Sequence, residues 1–158
     1  GAKVYHSDTL IGEGSSRAFS GSADFGLIKL GDDGTGHRVF HYYPDTLEIT
    51  GSSPTNTDGA PRCFTGRFSG TKCGTIVDPS YDVTYANEGN VTITDLVRTS
   101  PSNISGDSGG PTYQTAYYGG VVFTTAAGIV SGHTGNDMLY AKLGHVPSSW
   151  NVVVRRKP

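Results

Sequence analysis

Apolar residues fall in short runs along the chain, and most runs alternate with polar positions. Tyr81–Tyr85 and most of Val91–Val97 alternate apolar and polar side chains, the period of a strand with one buried face. Phe25–Leu30 is a denser apolar run behind a Gly/Ser cluster, Arg38–Tyr43 is aromatic and stops at Pro44, and Thr46–Thr50 alternates again. Arg62–Phe68 and Lys72–Val77 flank a turn rich in Gly, Ser and Thr. Pro111–Gln114, Val121–Thr125, Ala127–Ser131 and Met138–Leu143 complete the set, each bounded by Gly, Asn, Asp or Pro. Many short strands at this spacing predict an all-β barrel or sandwich. Helix is expected only near the C-terminus, as a short turn over Pro147–Asn151 with Ser148 as its cap.

Composition narrows the function classes. The 158 residues suffice for one domain or two small ones. The 23 glycines and 8 prolines suit a turn-dense chain without long helices. Twelve basic and 14 acidic residues give a net charge of −2, which argues against a nucleic-acid partner. Plentiful aromatics argue against disorder. The longest apolar stretch, Gly120–Val130, is interrupted by Thr124 and Thr125 and is far short of a membrane span, so no membrane is expected. GSSPTNTDGA, residues 51–60, reads as a connector between two halves, and Arg155-Arg156-Lys157 as a solvated tail. Cys63 and Cys73 stand on the arms of the Arg62–Val77 hairpin. They are expected to pair, the alternative being two free thiols. A bridge closing about eleven residues stabilises by roughly 2–3 kcal/mol and implies an oxidising, extracellular compartment. No further Cys or His has metal-ligand spacing here, and no metal or cofactor is expected.

The chemistry concentrates in Gly106-Asp107-Ser108-Gly109-Gly110-Pro111. A serine between Gly-Asp and Gly-Gly sits where the backbone turns sharply and no neighbouring side chain obstructs a substrate. The N–H groups of Gly106 and Ser108 could then stabilise an oxyanion, a donor pair in which each member is worth about 2.7–4 kcal/mol. The string resembles the nucleophile motif of the chymotrypsin-family serine proteases. Ser22-Ala23-Asp24-Phe25, opening an apolar strand, resembles that family's orienting-aspartate segment. The hairpin ending Cys73-Gly74-Thr75-Ile76, and Ala127-Gly128-Ile129-Val130-Ser131-Gly132, are similar to the streptogrisin and alpha-lytic branch. The resemblance covers about residues 11–150. It implies a double β-barrel, a secreted serine endopeptidase acting on polypeptides, Ser108 as nucleophile and Asp24 as orienting acid. It further implies Ser131 and Gly132 as backbone partners of substrate, Ser102 at the pocket floor, and His133 facing the pocket. A neutral Ser102 argues against a preference for Arg or Lys, and His133 would favour an acidic or polar residue. Asp107 is expected to shape the oxyanion loop through an ion pair. The bridge that braces the family's pocket cannot form, because Asn103 and Ile104 stand where its cysteine would be.

One departure bears on function. A serine needs a base, and in this family the histidine precedes the aspartate. His6 is the sole histidine upstream of Asp24, without the surrounding motif or preceding strands, and His37 and His41 follow it. Residues 1–50 hold about four strands, too few for a closed six-stranded barrel. Residues 1–55 therefore read as a remnant of the first barrel carrying Asp24, and 56–158 as a second barrel carrying Ser108. Three readings follow: a C-terminal portion of a protease whose N-terminal piece, with the histidine, is a separate chain or was cut away; a pseudoprotease kept as a binding module; or an enzyme with a rearranged base. The isolated chain is expected to have little activity of its own, and its open first barrel to expose apolar faces and strand edges.

Overall fold

Strand alternation becomes antiparallel pairing through most of the chain. The computed structural model describes residues 1–6, 8–31, 39–42 and 45–158, and for residues 6, 39–42 and 45 it describes the backbone. The strands are β1 Lys3–His6, β2 Thr9–Ser20, β3 Ala23–Leu30, β4 Val39–Tyr42, β5 Asp45–Ser52, β6 Pro61–Gly66, β7 Gly70–Tyr85, β8 Val91–Thr99, β9 Pro111–Tyr118, β10 Val121–Thr134 and β11 Asp137–Lys142. Strands β6, β7, β8, β11, β10 and β9 pair in that order, and β9 returns to β6 through Cys63↔Tyr113 and Phe64↔Thr112. The result is a closed ring of six strands, which leaves this part of the chain without an open sheet edge. Cys63 and Cys73 face each other across β6 and β7 and form the expected disulfide.

Phe64, Ile76, Val97, Ala127, Val130, Met138 and Tyr140 fill the ring. A second apolar cluster lies where the three-stranded sheet β1–β2–β3 packs on it, with Phe25 of β3 against Ile93, Leu96, Leu139 and Ala141. Strand β8 serves both clusters because Asp95 takes a left-handed φ of 57°, which shifts the alternation between Ile93 and Val97. Two polar links reinforce the junction. Thr94 N–H donates to Gly21 O at 2.8 Å. On the other side, Ser22 Oγ and His145 Nδ1 lie 3.1 Å apart, and His145 Nε2 lies 2.8 Å from Asp95 Oδ2. The turn leading into Asp24 is thus fixed from both sides.

Several expectations change in detail. β1 and β2 were not anticipated, because the Gly-Glu-Gly-Ser-Ser centre of β2 carries no alternation. Lys72–Val77 and Tyr81–Tyr85 are one 16-residue strand that passes Pro79 through register irregularities, a place where a sheet tolerates proline. Val121–Thr125 and Ala127–Ser131 likewise merge into β10. The outer residues of the Arg38–Tyr43 expectation, and His37, lie outside the described residues. β5 joins β10 in parallel, with Ile49 opposite Thr124. The C-terminal helix is a single 3₁₀ turn, Ser148–Trp150; its cap position is Pro147 rather than Ser148, and it stops at Asn151 in a left-handed conformation. Exposed apolar side chains, expected of residues 1–55, are present on the three-stranded sheet. Leu30 pairs with Gly12 and Tyr5 with Leu10, so Tyr5, Leu10, Ile28 and Leu30 stand exposed on the face that also carries Asp24.

The connector at residues 51–60 is anchored by a buried cation. Arg62, fully buried, donates from Nη2 to Thr55 O and Asn56 Oδ1, from Nη1 to Pro61 O and Gln114 Oε1, and from Nε to Tyr140 Oη. Arg62→Met would remove five hydrogen bonds from a charged donor, one to the buried Tyr140 Oη and four to partly buried acceptors, of which Asn56 Oδ1 keeps the Tyr140 hydroxyl as donor. Each bond lost costs about 1 kcal/mol, or somewhat less where water can replace it. The expected loss in a urea unfolding titration is about 3 kcal/mol, and a loss well under 1 kcal/mol would contradict this anchoring role.

Candidate active site

The loop before β9 is built around Asp107. This side chain is 1% exposed. Its Oδ1 accepts from Phe68 N–H at 2.9 Å and Ser69 N–H at 3.0 Å, and its Oδ2 from Ile104 N–H at 3.0 Å. Among the described residues it has no ion-pair partner, so the expected ion pair is replaced by three backbone donors. Burial pushes its carboxyl up, but hydrogen bonding from the Ile104 N–H, from the hydroxyl and N–H of Ser69 and from the Phe68 N–H outweighs burial and brings it down to about 2. Backbone bonds from Gly109 N–H to Val130 O (2.9 Å) and from Val130 N–H to Gly110 O (2.8 Å) stitch the same loop to β10.

Glycine is required at 106. Its φ is +96°, and a Cβ there would stand 2.4 Å from the Phe68 ring. The chain then delivers Ser108 to the surface, with Oγ donating to Ser131 O at 3.1 Å. Among the described residues the N–H groups of Gly106 and Ser108 take no partner.

Asp24 arrives from the other sheet. It follows the turn at Gly21 and Ser22 and opens β3. Its Oδ2 accepts from Ser131 Oγ at 2.6 Å. Ser131 therefore touches both expected catalytic groups, Asp24 through its hydroxyl and Ser108 through its carbonyl. Burial raises the Asp24 carboxyl above its ordinary value, with the Ser131 bond and the Arg17 charge pulling it down and Glu88 pushing it up. A cleft of about 550 Å³ opens over these groups, and Asp24, Tyr85, Ser108, Ser131, Gly132 and His133 all line it.

Of the residues expected from sequence, Asp24, Ser108, Ser131, Gly132 and His133 thus share one cleft, with Gly106 two residues from Ser108. Ser102 is not part of the lining; its carbonyl accepts from Lys72 Nζ at 2.9 Å instead. Side chains of His6 and His41 lie outside the described residues, as does all of His37. Sequence reasoning missed Tyr85, whose hydroxyl lies 2.7 Å from Ser131 Oγ. The available signal was the alternation Tyr81, Val83, Tyr85, which puts the tyrosine on the buried face at the end of its strand.

Solved structures of the same architecture exist. Thermobifida fusca protease A matches at 25% identity over 96% of this chain and 77% of its own, with a TM-score of 0.74. Cellulomonas bogoriensis chymotrypsin matches at 21% identity over 96% and 78%, also at 0.74. The fold is that of the bacterial chymotrypsin-like serine proteases. A glutamic acid-specific serine protease, described as using a histidine triad in substrate binding, matches at 22% identity over 93% and 75%, with a TM-score of 0.69. No family model and no curated protein matches the chain. The ring of six strands is a closed β-barrel, and the three-stranded sheet β1–β2–β3 is separate from it.

Asp107→Asn keeps the shape but replaces a charge acceptor by a neutral one. With the carboxyl depressed from 3.8 to about 2, the charge contributes roughly 2 kcal/mol at neutral pH. That contribution is present above the unfolded value and is lost as pH falls through the folded one. The variant should therefore be roughly 2 kcal/mol less stable at pH 7 in denaturant titrations, and the gap should close between pH 4 and pH 2. A gap independent of pH would show that the N–H cradle does not act through the charge.

Proposed function

We propose that the chain carries the nucleophile and the orienting acid of a secreted serine endopeptidase. Ser108 attacks the scissile carbonyl, the N–H groups of Gly106 and Ser108 receive the oxyanion, and an acyl-enzyme forms on Ser108 Oγ. Asp24 orients the base. The observation that carries the reading is the placement of Ser108 and Asp24 on one cleft with Ser131 bridging them. Residues 1–55 supply the acid and residues 56–158 the ring with the nucleophile. The disulfide and the bacterial protease neighbours support an extracellular location.

The base is an imidazole delivered into the cleft. His145 is engaged with Ser22 and Asp95, and His133 hydrogen-bonds to neither Asp24 nor Ser108 among the described residues. The exposed face of Tyr5, Leu10, Ile28 and Leu30 adjoins Asp24 and is where a further segment, a partner chain or a swapped copy would pack and bring that imidazole. Missing one triad member lowers turnover by about a million-fold and leaves roughly 10³–10⁴ over water. On the acyl side, His133 in the cleft supports a preference for an acidic residue, in keeping with the glutamic acid-specific neighbour.

A second reading, a binding module without catalysis, draws on the same engagement of His145 and the exposure of His133. Fluorophosphonate labelling with intact-mass and peptide analysis separates the two. The protease reading expects one adduct, on Ser108, absent in Ser108→Ala and formed faster when free imidazole is added at pH 7.5. No adduct with or without imidazole, from folded protein, would leave only the binding module.

A further inference from the structure

We propose that the tip of the β9–β10 hairpin is a membrane-surface anchor: Tyr117, Tyr118, Val121, Val122 and Phe123 enter the headgroup layer of an anionic lipid bilayer beside the basic tail Arg155-Arg156-Lys157. The stretch Gly120–Val130 is too short to span a bilayer, but a hairpin enters by its tip.

All five side chains are exposed, Tyr117 and Tyr118 at 71% each. The register sets Tyr118 opposite Val121, Tyr117 opposite Val122 and Ala116 opposite Phe123. Successive pairs point to opposite faces, and the Tyr118 and Phe123 rings meet at 6.2 Å on one of them. Both faces of the tip are thus apolar. A hairpin that docks on a protein needs one apolar face, whereas apolar side chains on both suit a medium that surrounds the tip. Gly119 and Gly120, at φ 55° and 83°, turn the chain with no side chain at its apex. From Pro111 to Asn136 there is no Asp, Glu, Lys or Arg, so the tip takes no formal charge out of water. Tyrosine, an apolar ring with a polar end, suits the boundary between headgroups and acyl chains.

Depth is limited by the backbone. Among the described residues, 116–123 pairs only within the hairpin, and open strand edges are not tolerated in hydrocarbon. The three outer cross-strand pairs reach roughly 10 Å at about 3.3 Å per residue, the depth at which surface-bound apolar groups sit. Charge selects the lipid. Lys157 N–H donates to Ile49 O at 2.8 Å, and Ile49 is the partner of Thr124, the residue after Phe123. The tail is thereby held beside the base of the tip, with Arg155, Arg156 and Lys157 all exposed. Lys157 pairs with Glu48, and the three residues are the only run of three cations in the sequence. Apolar insertion and a basic cluster are the two signals that a stable surface anchor combines. Roughly 30 Å of strand, at about 3.3 Å per residue, separates Val121 from Ser131, so a seated tip leaves the Ser108 cleft clear of the lipid.

The test is co-sedimentation of the chain with vesicles of phosphatidylcholine and phosphatidylglycerol in equal parts, and with vesicles of phosphatidylcholine alone. The expected result is binding to the mixed vesicles that weakens on phosphatidylcholine and with added salt. Val121→Asp should weaken it about tenfold or more, and Arg156→Gln about fivefold. Tyr118→Ser, which trims an exposed ring, stands in should Val121→Asp fail to fold. No sedimentation of folded protein, or binding that Arg156→Gln weakens and the tip variants leave unchanged, would overturn the proposal. Sedimentation velocity covers the rival occupant. A concentration-dependent dimer that Val121→Asp dissolves, without vesicle binding, would make the tip an interface between copies and overturn the lipid assignment. None of these readouts needs turnover, so they decide the role of the tip whether or not Ser108 takes a fluorophosphonate.

Discussion

Ser131 joins the two halves of the site. Its hydroxyl reaches Asp24 at 2.6 Å and its carbonyl receives Ser108 at 3.1 Å. Asp24 belongs to a three-stranded sheet and Ser108 to a loop of the closed ring. One residue of β10 binds both across the cleft they share. Much of the surrounding structure secures that meeting. Bonds between Val130 and the loop residues Gly109 and Gly110 set the height of Ser108, while the Thr94–Gly21 and Ser22–His145–Asp95 contacts set the turn that presents Asp24.

Energetically, the two sides are held differently. The Ser108 loop hangs on a buried carboxylate whose charge is met by backbone N–H groups, which are fixed dipoles that cost no side-chain entropy to place. The acid side is held by an apolar cluster around Phe25 with a few polar links. Its sheet leaves Tyr5, Leu10, Ile28 and Leu30 exposed beside the cleft. A ring closed by its own hydrogen bonds can be stable by itself, whereas an open apolar sheet gains stability from whatever covers it.

The motif around Ser108 was legible because its chemistry is local: glycines at set positions, a serine and a proline. Asp24 was legible only through the apolar strand that follows it. The ring was largely legible from alternation, since its strands bury one face each. β2 was not, because a Gly- and Ser-rich strand carries no period, and Pro79 hid the continuity of β7. Tyr85 and the donors to Asp107 are tertiary facts. Backbone N–H groups of Phe68, Ser69 and Ile104 leave no trace in a sequence, and nothing local tells that a tyrosine at a strand end will meet a serine on β10. Ser102, expected at a pocket floor by counting back from Ser108, is not among the residues that line the cleft, and its carbonyl accepts from Lys72.

The central claim is that Ser108 Oγ and the N–H groups of Gly106 and Ser108 together form a site for a tetrahedral oxyanion. A crystal structure of the chain soaked with a peptide boronic acid tests it most directly, because boron adds to a serine without a leaving group to expel. The claim requires a tetrahedral boronate on Ser108 Oγ with one oxygen within hydrogen-bond distance of both N–H groups. Boron bound elsewhere, or on Ser108 with its oxygens turned away from both donors, would contradict it.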